Sequence, residues 1–278
     1  DYPASYIGQD SALAGVELVS GVTYSSTAFR NAVTDAYTAL FAVADVAAGE
    51  MSDDQMAAEA IGELLPSSLD NTGACKVEEN DGLFVSSNRT GYAMVADKVA
   101  YVTDAFGNYV GSKSFDDAAS EDASVVEAVK TAAAGAYAAA SEKNISRIVK
   151  MYKDAEVVTL TPTGVQSTVN GAYTFTSEGA TYYAMTASAF GYGGPVNLLY
   201  IVDENGTIAK FKVMSHNETE YYGDVVSQSS YTNGYPGQQL DSIGDDVLVV
   251  SGCTFTTNAV KTAAADVAAA FNAVKEAQ

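Results

Sequence analysis

The chain has 278 residues, 47% hydrophobic and 18% charged, enough apolar material for one large domain or two modest ones. Its 35 acidic residues against 14 basic ones give a net charge of −21, a field that repels phosphate backbones and anionic lipid and makes nucleic acid and membrane surfaces poor partners. Two cysteines, Cys75 and Cys253, and one histidine, His216, supply neither a disulfide framework nor a metal-ligand pattern.

No window of about 18 uninterrupted apolar residues is present, so no membrane span is expected. No basic-plus-apolar leader opens the chain, and Asp1 is not a natural start; a processed protein or an excised fragment is expected. In chain order, the first element follows S-G-V-T-Y-S-S-T-A-F-R at 20–30. Its hydroxyls open an Ala-rich run that predicts a helix over 26–48, stopped by Gly49. Residues 83–110 read as strands, with a turn at 104–108. An Ala-rich helix is predicted over 124–141, a helix-like linker over 142–153 and a loop at T-P-T-G, 161–164. Strand runs follow at 171–190 and 196–215, with D-E-N-G at 203–206 as a hairpin turn. A last Ala-rich helix covers 257–277. Strands in runs and helices at the flanks make the class α+β.

The chain repeats itself. S-G-C-T-F-T-T-N-A-V-K at 251–261 matches S-G-V-T-Y-S-S-T-A-F-R at 20–30 in its Ser, Gly and Thr, the aromatic after the Thr, two hydroxyls, Ala, an apolar residue and a base. Y-P-A-S-Y-I-G-Q-D from Tyr2 and Y-P-G-Q-Q-L-D from Tyr235 precede the two copies, and A-V-K-T-A-A-A recurs at 128–134 and 259–265. A glycine turn and hydroxyls ahead of a helix bring free N–H groups and the positive dipole end together, a place for a phosphate. The plainer reading is that Thr256, Thr257 or Asn258 only caps the helix. His216, without a partner His or Cys, reads as structural when taken alone.

Four motifs in order, G-Y-G-G-P (191–195), the strand with D-E-N-G (198–206), H-N-E-T-E-Y-Y-G (216–223) and S-G-C-T-F-T-T-N-A-V (251–260), resemble the FMN-binding domain. That domain is found in flavin-carrying subunits of sodium-pumping quinone reductases and Rnf-type electron-transport complexes, and in exported bacterial flavoproteins. The resemblance covers residues from about 150 to 278. It implies a twisted antiparallel sheet with packed helices, present as repeated FMN-binding-domain-like units. It further implies that FMN is joined by its phosphate to Thr254, within Ser251, Gly252, Cys253, Thr256 and Thr257, with Thr23 as a second attachment site. Tyr192, Gly193, Gly194, His216, Asn217, Glu218 and Thr219 are implied to form the flavin cavity.

Three positions depart from the family. Its usual Ala in the motif is Val22 or Cys253 here, the acidic residue three before the motif's Ser is Glu17 in one copy but Leu248 in the other, and Glu220-Tyr221-Tyr222-Gly223 replaces the usual Pro-Gly stretch. The expected division is a repeat tail at 1–48 packing with 49–145 as a degenerate or rearranged FMN-binding-like domain, then a complete FMN-binding domain at 146–278. The expected function is an FMN-carrying electron-transfer module, a carrier more than a stand-alone enzyme. Its expected partners are a flavin transferase and redox proteins or small acceptors, on the extracellular side of the bacterial cytoplasmic membrane with any anchor outside this chain. Against it stand a cell-surface structural or binding module without flavin, and a flavin-dependent reductase with its own substrate.

Overall fold

In the computed structural model the described residues are 29, 31–36, 51–65, 74–77, 80, 82–164, 168–218, 223–246 and 248–277. Two units divide the chain, Asp1–Ser52 and Asp53–Gln278. In the first, residues 29 and 31–36 are helical, inside the helix expected there, while Thr23 and its motif lie outside the described residues.

The second unit runs α1 (Asp53–Leu64), β1 (Ala74–Lys76), β2 (Leu83–Ser86), β3 (Gly91–Ala96), β4 (Val99–Asp104), β5 (Tyr109–Ser114), α2 (Ala123–Met151), β6 (Glu156–Leu160), β7 (Val169–Ser177), β8 (Ala180–Phe190), β9 (Pro195–Asp203), β10 (Ile208–Ser215), α3 (Leu240–Asp246) and α4 (Thr254–Glu276). Strands β1 to β5 form one antiparallel sheet in chain order and β6 to β10 a second. The class is α+β, as expected, with helices packed on two open antiparallel sheets.

The sheets share words, register and turns. Tyr92-Ala93-Met94 pairs with Thr103, Val102 and Tyr101; Tyr183-Ala184-Met185 pairs with Val202, Ile201 and Tyr200. In the next hairpin, Asp104 Oδ1 accepts the N–H groups of Phe106 and Asn108 at 2.8 and 2.9 Å, and Asp203 Oδ1 those of Asn205 and Thr207 at the same distances. Gly107 and Gly206 close these turns with φ of +86° and +80°, which glycine adopts without strain. At Gly107 a Cβ would also press on the backbone of α2 at Ala134. A register shift adjoins each turn, at Val102/Thr103 before the first and at Ile208/Lys210 after the second.

Each sheet lies between two helices because both its faces are apolar. Phe84, Ala93, Ala100 and Val102 pack on Ala57, Ala60 and Ile61 of α1, while Leu83, Val85, Tyr92, Val99 and Tyr101 pack on Val129 and Ala133 of α2. Across the second sheet, Tyr173, Phe175, Ala184, Leu199 and Ile201 meet Ile148 near the end of α2. The opposite face buries Tyr183, Met185, Leu198, Tyr200 and Val202 under Val260, Ala264, Val267 and Phe271 of α4. The expected helix at 124–141 and linker at 142–153 are thus one helix of 29 residues, about 43 Å long at 1.5 Å per residue. Asp122 caps it by accepting Ser124 N–H at 2.7 Å, no proline interrupts it, and Tyr137 Oη ties its middle to Leu160 O at 2.9 Å.

From β10 the chain crosses the α4 face of the second sheet, burying Val226, Tyr231, Tyr235, Leu240 and Ile243 there. Tyr235 stacks on Phe211 with centroids 4.0 Å apart. Gly237 N–H and Leu240 N–H, both 2.8 Å from their acceptors, tie the crossing to Ile208 and Gly206. The strap so fixed delivers the chain to the start of α4.

Two stability predictions arise here. Tyr200 is fully buried, and its hydroxyl has no hydrogen-bond partner among the described residues. An orphaned buried polar group costs about 1–3 kcal/mol, so Tyr200→Phe is expected to raise the melting temperature; a fall would show that the hydroxyl is bonded. Asp266 of α4 accepts Thr168 N–H at 2.7 Å, yet burial pushes its carboxyl above the ordinary range, the Thr168 N–H only partly opposing it. With the folded value raised, the stability this group contributes is full below the unfolded pKa near 4 and is lost as pH rises through the folded value. Asp266→Asn keeps an acceptor and removes that loss, so its melting temperature should exceed the wild type's at pH 7 and converge with it near pH 3; parallel curves would count against the assignment.

Candidate functional site

Two insertions distinguish the second sheet from the first, and they meet at one end of it. Between β3 and β4 the chain turns through Asp97 and Lys98 alone, both with positive φ. Between β8 and β9 it makes the loop Gly191-Tyr192-Gly193-Gly194, held by Gly191 N–H to Gly194 O at 2.9 Å. Between β5 and α2 run eight residues, 115–122; between β10 and α4 run 38, 216–253. Both insertions carry expected site residues.

Glu218 joins them. Its Oε1 accepts Gly193 N–H at 3.1 Å, and its Oε2 accepts the hydroxyl of Thr256, in the first turn of α4, at 2.7 Å. One carboxylate thereby gathers the Gly-Tyr-Gly-Gly loop, the segment after β10 and the start of α4. The fit is close on every side: a Cβ at Gly191 or Gly223 would collide with the Glu218 carboxylate, and a Cβ at Gly193 with the carbonyl oxygen of Asn217. His216 shapes the approach, its Nδ1 accepting Glu218 N–H at 3.2 Å.

The Ser-Gly-Cys-Thr motif turns into α4. Cys253 N–H bonds Val250 O at 2.9 Å, and Gly252 sits at φ +83° with nothing within 4 Å of where its Cβ would point. Helix α4 starts at Thr254, and its N-cap residue Cys253 offers no side-chain hydrogen bond. Expected capping by Thr256, Thr257 or Asn258 is therefore not the arrangement found: these residues lie inside the first turns. Thr256 and Thr257 are buried, and Thr257 Oγ1 donates back to Cys253 O at 3.0 Å. Ser251, Gly252 and Thr254 are exposed. Cys253 is a free, buried thiol, its pKa raised by burial and then by the Asp224 and Glu218 carboxylates.

A helix of 23 residues whose N-cap residue makes no side-chain hydrogen bond, entered by a turn with nothing within 4 Å of a Cβ at Gly252, fits a phosphate group. Helix α2 shows the contrast, since Asp122 already fills the same place there. The structure brings together Tyr192, Gly193, Gly194, His216, Asn217, Glu218 and residues 251–257, while Thr219 lies outside the described residues. Phe255, whose ring stands beside Tyr192, is a neighbour of the site to which the sequence reading gave no role, although an aromatic follows the motif Thr in both copies, Tyr24 and Phe255.

Residues 191–269 match the model of the FMN-binding domain. The chain is also similar to a subunit of the proton-translocating ferredoxin:NAD(+) oxidoreductase complex of Clostridium ljungdahlii, 29% identical over 86 residues, 28% of this chain and 46% of that protein. The chain thus spans about half the length of the curated relative it matches.

Proposed function

We propose, from the premise that residues 191–269 belong to the FMN-binding domain family, that this chain carries FMN at the start of α4 and relays electrons. The observation that carries the reading is the start of α4, where the N-cap residue makes no side-chain hydrogen bond, Ser251, Gly252 and Thr254 are exposed, and Glu218 fastens the Gly-Tyr-Gly-Gly loop. When bound, FMN takes up two electrons and releases them singly, which lets a carrier connect partners of either kind. The chain's own groups bind and orient: the α4 N–H groups and helix dipole hold the phosphate, and Ser251 and Thr254 present their hydroxyls to it.

In the finer reading, Thr254 Oγ1 forms a phosphoester with the FMN phosphate, made by a flavin transferase, and Thr23 is a second attachment site. Exposure of Thr254 supports the first part. The complete FMN-binding domain in this reading is residues 146–278, with 1–48 and 49–145 as the degenerate one; the shared words and register of the two sheets support separating 49–145 from 146–278. Redox subunits are the proposed partners, given what the Clostridium relative's name says of that protein. The proposed location is the extracellular side of the cytoplasmic membrane; among the described residues no helix is long and apolar enough to cross it.

A redox titration tests the electron-carrier function. Protein made with FMN and a flavin transferase should reduce and reoxidise reversibly as followed by its visible spectrum. Protein that stays colourless with excess FMN would instead favour a structural module that keeps the fold without flavin.

A further inference from the structure

Resting on the FMN reading above, we propose that Phe255 is a wall of the flavin-ring site and that Tyr192 is the wall facing it. Phe255 directly follows Thr254, the proposed phosphate anchor, and its side chain is 60% exposed although Cys253, Thr256 and Thr257 around it are buried. Large apolar side chains are left in water sparingly, and contiguous ones mark binding surfaces. Among the described residues the exposed large hydrophobics are Phe29, Val149, Val158, Leu248, Val249 and Phe255; half of them fall between 248 and 255, beside the motif.

The second aromatic comes from the opposite side of the site. Tyr192 stands at the tip of the loop that Glu218 holds against α4, and its ring centroid is 6.4 Å from that of Phe255, the two planes tilted by 48°. A flat ring between two walls needs about 3.5–4 Å on each side. Opening this pair by about an ångström and levelling the tilt would therefore admit one. A ligand anchored at Thr254 has its ring within one ribityl chain of both residues, and Leu248 and Val249, a few residues before the motif in sequence, are exposed as well. Polar contacts fix the phosphate, and aromatic faces fix the ring.

Flavin emission provides a test that electron-transfer activity does not enter. A ring held against a tyrosine is quenched, so the wild-type flavoprotein should be dim with high anisotropy. Tyr192→Phe should brighten it several-fold at unchanged flavin content. Phe255→Ala should lower the anisotropy, and on a Thr254→Ala background should weaken free FMN about tenfold, the scale of losing one stacking partner; Phe255→Tyr should restore binding. Far-UV circular dichroism controls for folding. Emission, anisotropy and affinity all unchanged in these variants, with flavin retained, would overturn the proposal. Wild-type protein that carries no flavin would overturn the reading on which it rests, and the proposal with it.

Discussion

Gly193→Ala is expected to abolish flavin retention and to lower stability by roughly 1–3 kcal/mol, the cost of forcing an extra methyl into a packed contact. The loop comes so close to residue 217 that a Cβ at Gly193 would strike the Asn217 carbonyl oxygen and press on the Asn217 carbonyl carbon and Glu218 Cα. These are backbone atoms, which cannot swing aside as the end of a side chain can. Relief requires the loop to lift, and lifting it breaks the hydrogen bond from Gly193 N–H to Glu218. Gly194→Ala is the control: its Cβ would make only ordinary contacts with Asn217, but at φ +139° it would strain the backbone while leaving the Asn217 approach intact. Gly193→Ala should therefore lose more flavin than Gly194→Ala, measured as bound FMN per chain after gel filtration. Equal loss would assign the effect to loop conformation alone.

Glu218→Ala should have the second large effect. Removing the carboxylate takes from the exposed Gly193 N–H and from the fully buried Thr256 hydroxyl the acceptor that joins them, at about 1–3 kcal/mol for the buried hydroxyl left unpaired. The fold should survive, because Glu218 lies at the end of the second sheet and outside its apolar clusters. FMN affinity should fall by at least about tenfold, which is 1.4 kcal/mol. Glu218→Gln, which still offers an oxygen to Gly193 N–H and an amide to Thr256 Oγ1, should recover most of the loss. No recovery would show that the negative charge matters more than the two bonds.

Local chemistry made much of this legible in the sequence. The D-E-N-G turn and the turn at 104–108 stand where their Asp and Gly residues require. The repeated A-V-K-T-A-A-A marked equivalent surfaces, with Val129 and Ala133 on one sheet and Val260 and Ala264 on the other, all fully buried. Pattern separated the strand runs at 83–110 and 171–215, which stand in two sheets, but it did not give the order in which the strands pair, because pairing is decided across space. Nor did it reveal that α2 is continuous; Gly135 and the polar stretch after Ser141 resemble a boundary, yet nothing in them breaks a helix, and the second sheet buries Ile148.

The site was legible as motifs and not as geometry. H-N-E-T named Glu218 without revealing that its two oxygens would span Gly193 and Thr256, 25 positions before it and 38 after it in sequence. Hydroxyl-rich Thr256 and Thr257 read as ligands or caps, but burial turned both inward. What remained outward was Thr254 and, beside it, the motif's aromatic ring at Phe255, to which the sequence reading gave no role.

Whether the chain is a flavin carrier is decided by its intact mass, read together with its visible spectrum after co-expression with a flavin transferase. Flavin absorbance is expected, with a mass increase of FMN minus water that disappears in Thr254→Ala; a further increment lost on Thr23→Ala would report the second site. Flavin absorbance that washes away from a chain of unmodified mass would place FMN at α4 without the phosphoester. Neither absorbance nor added mass, with excess FMN present, would show that this chain does not carry flavin.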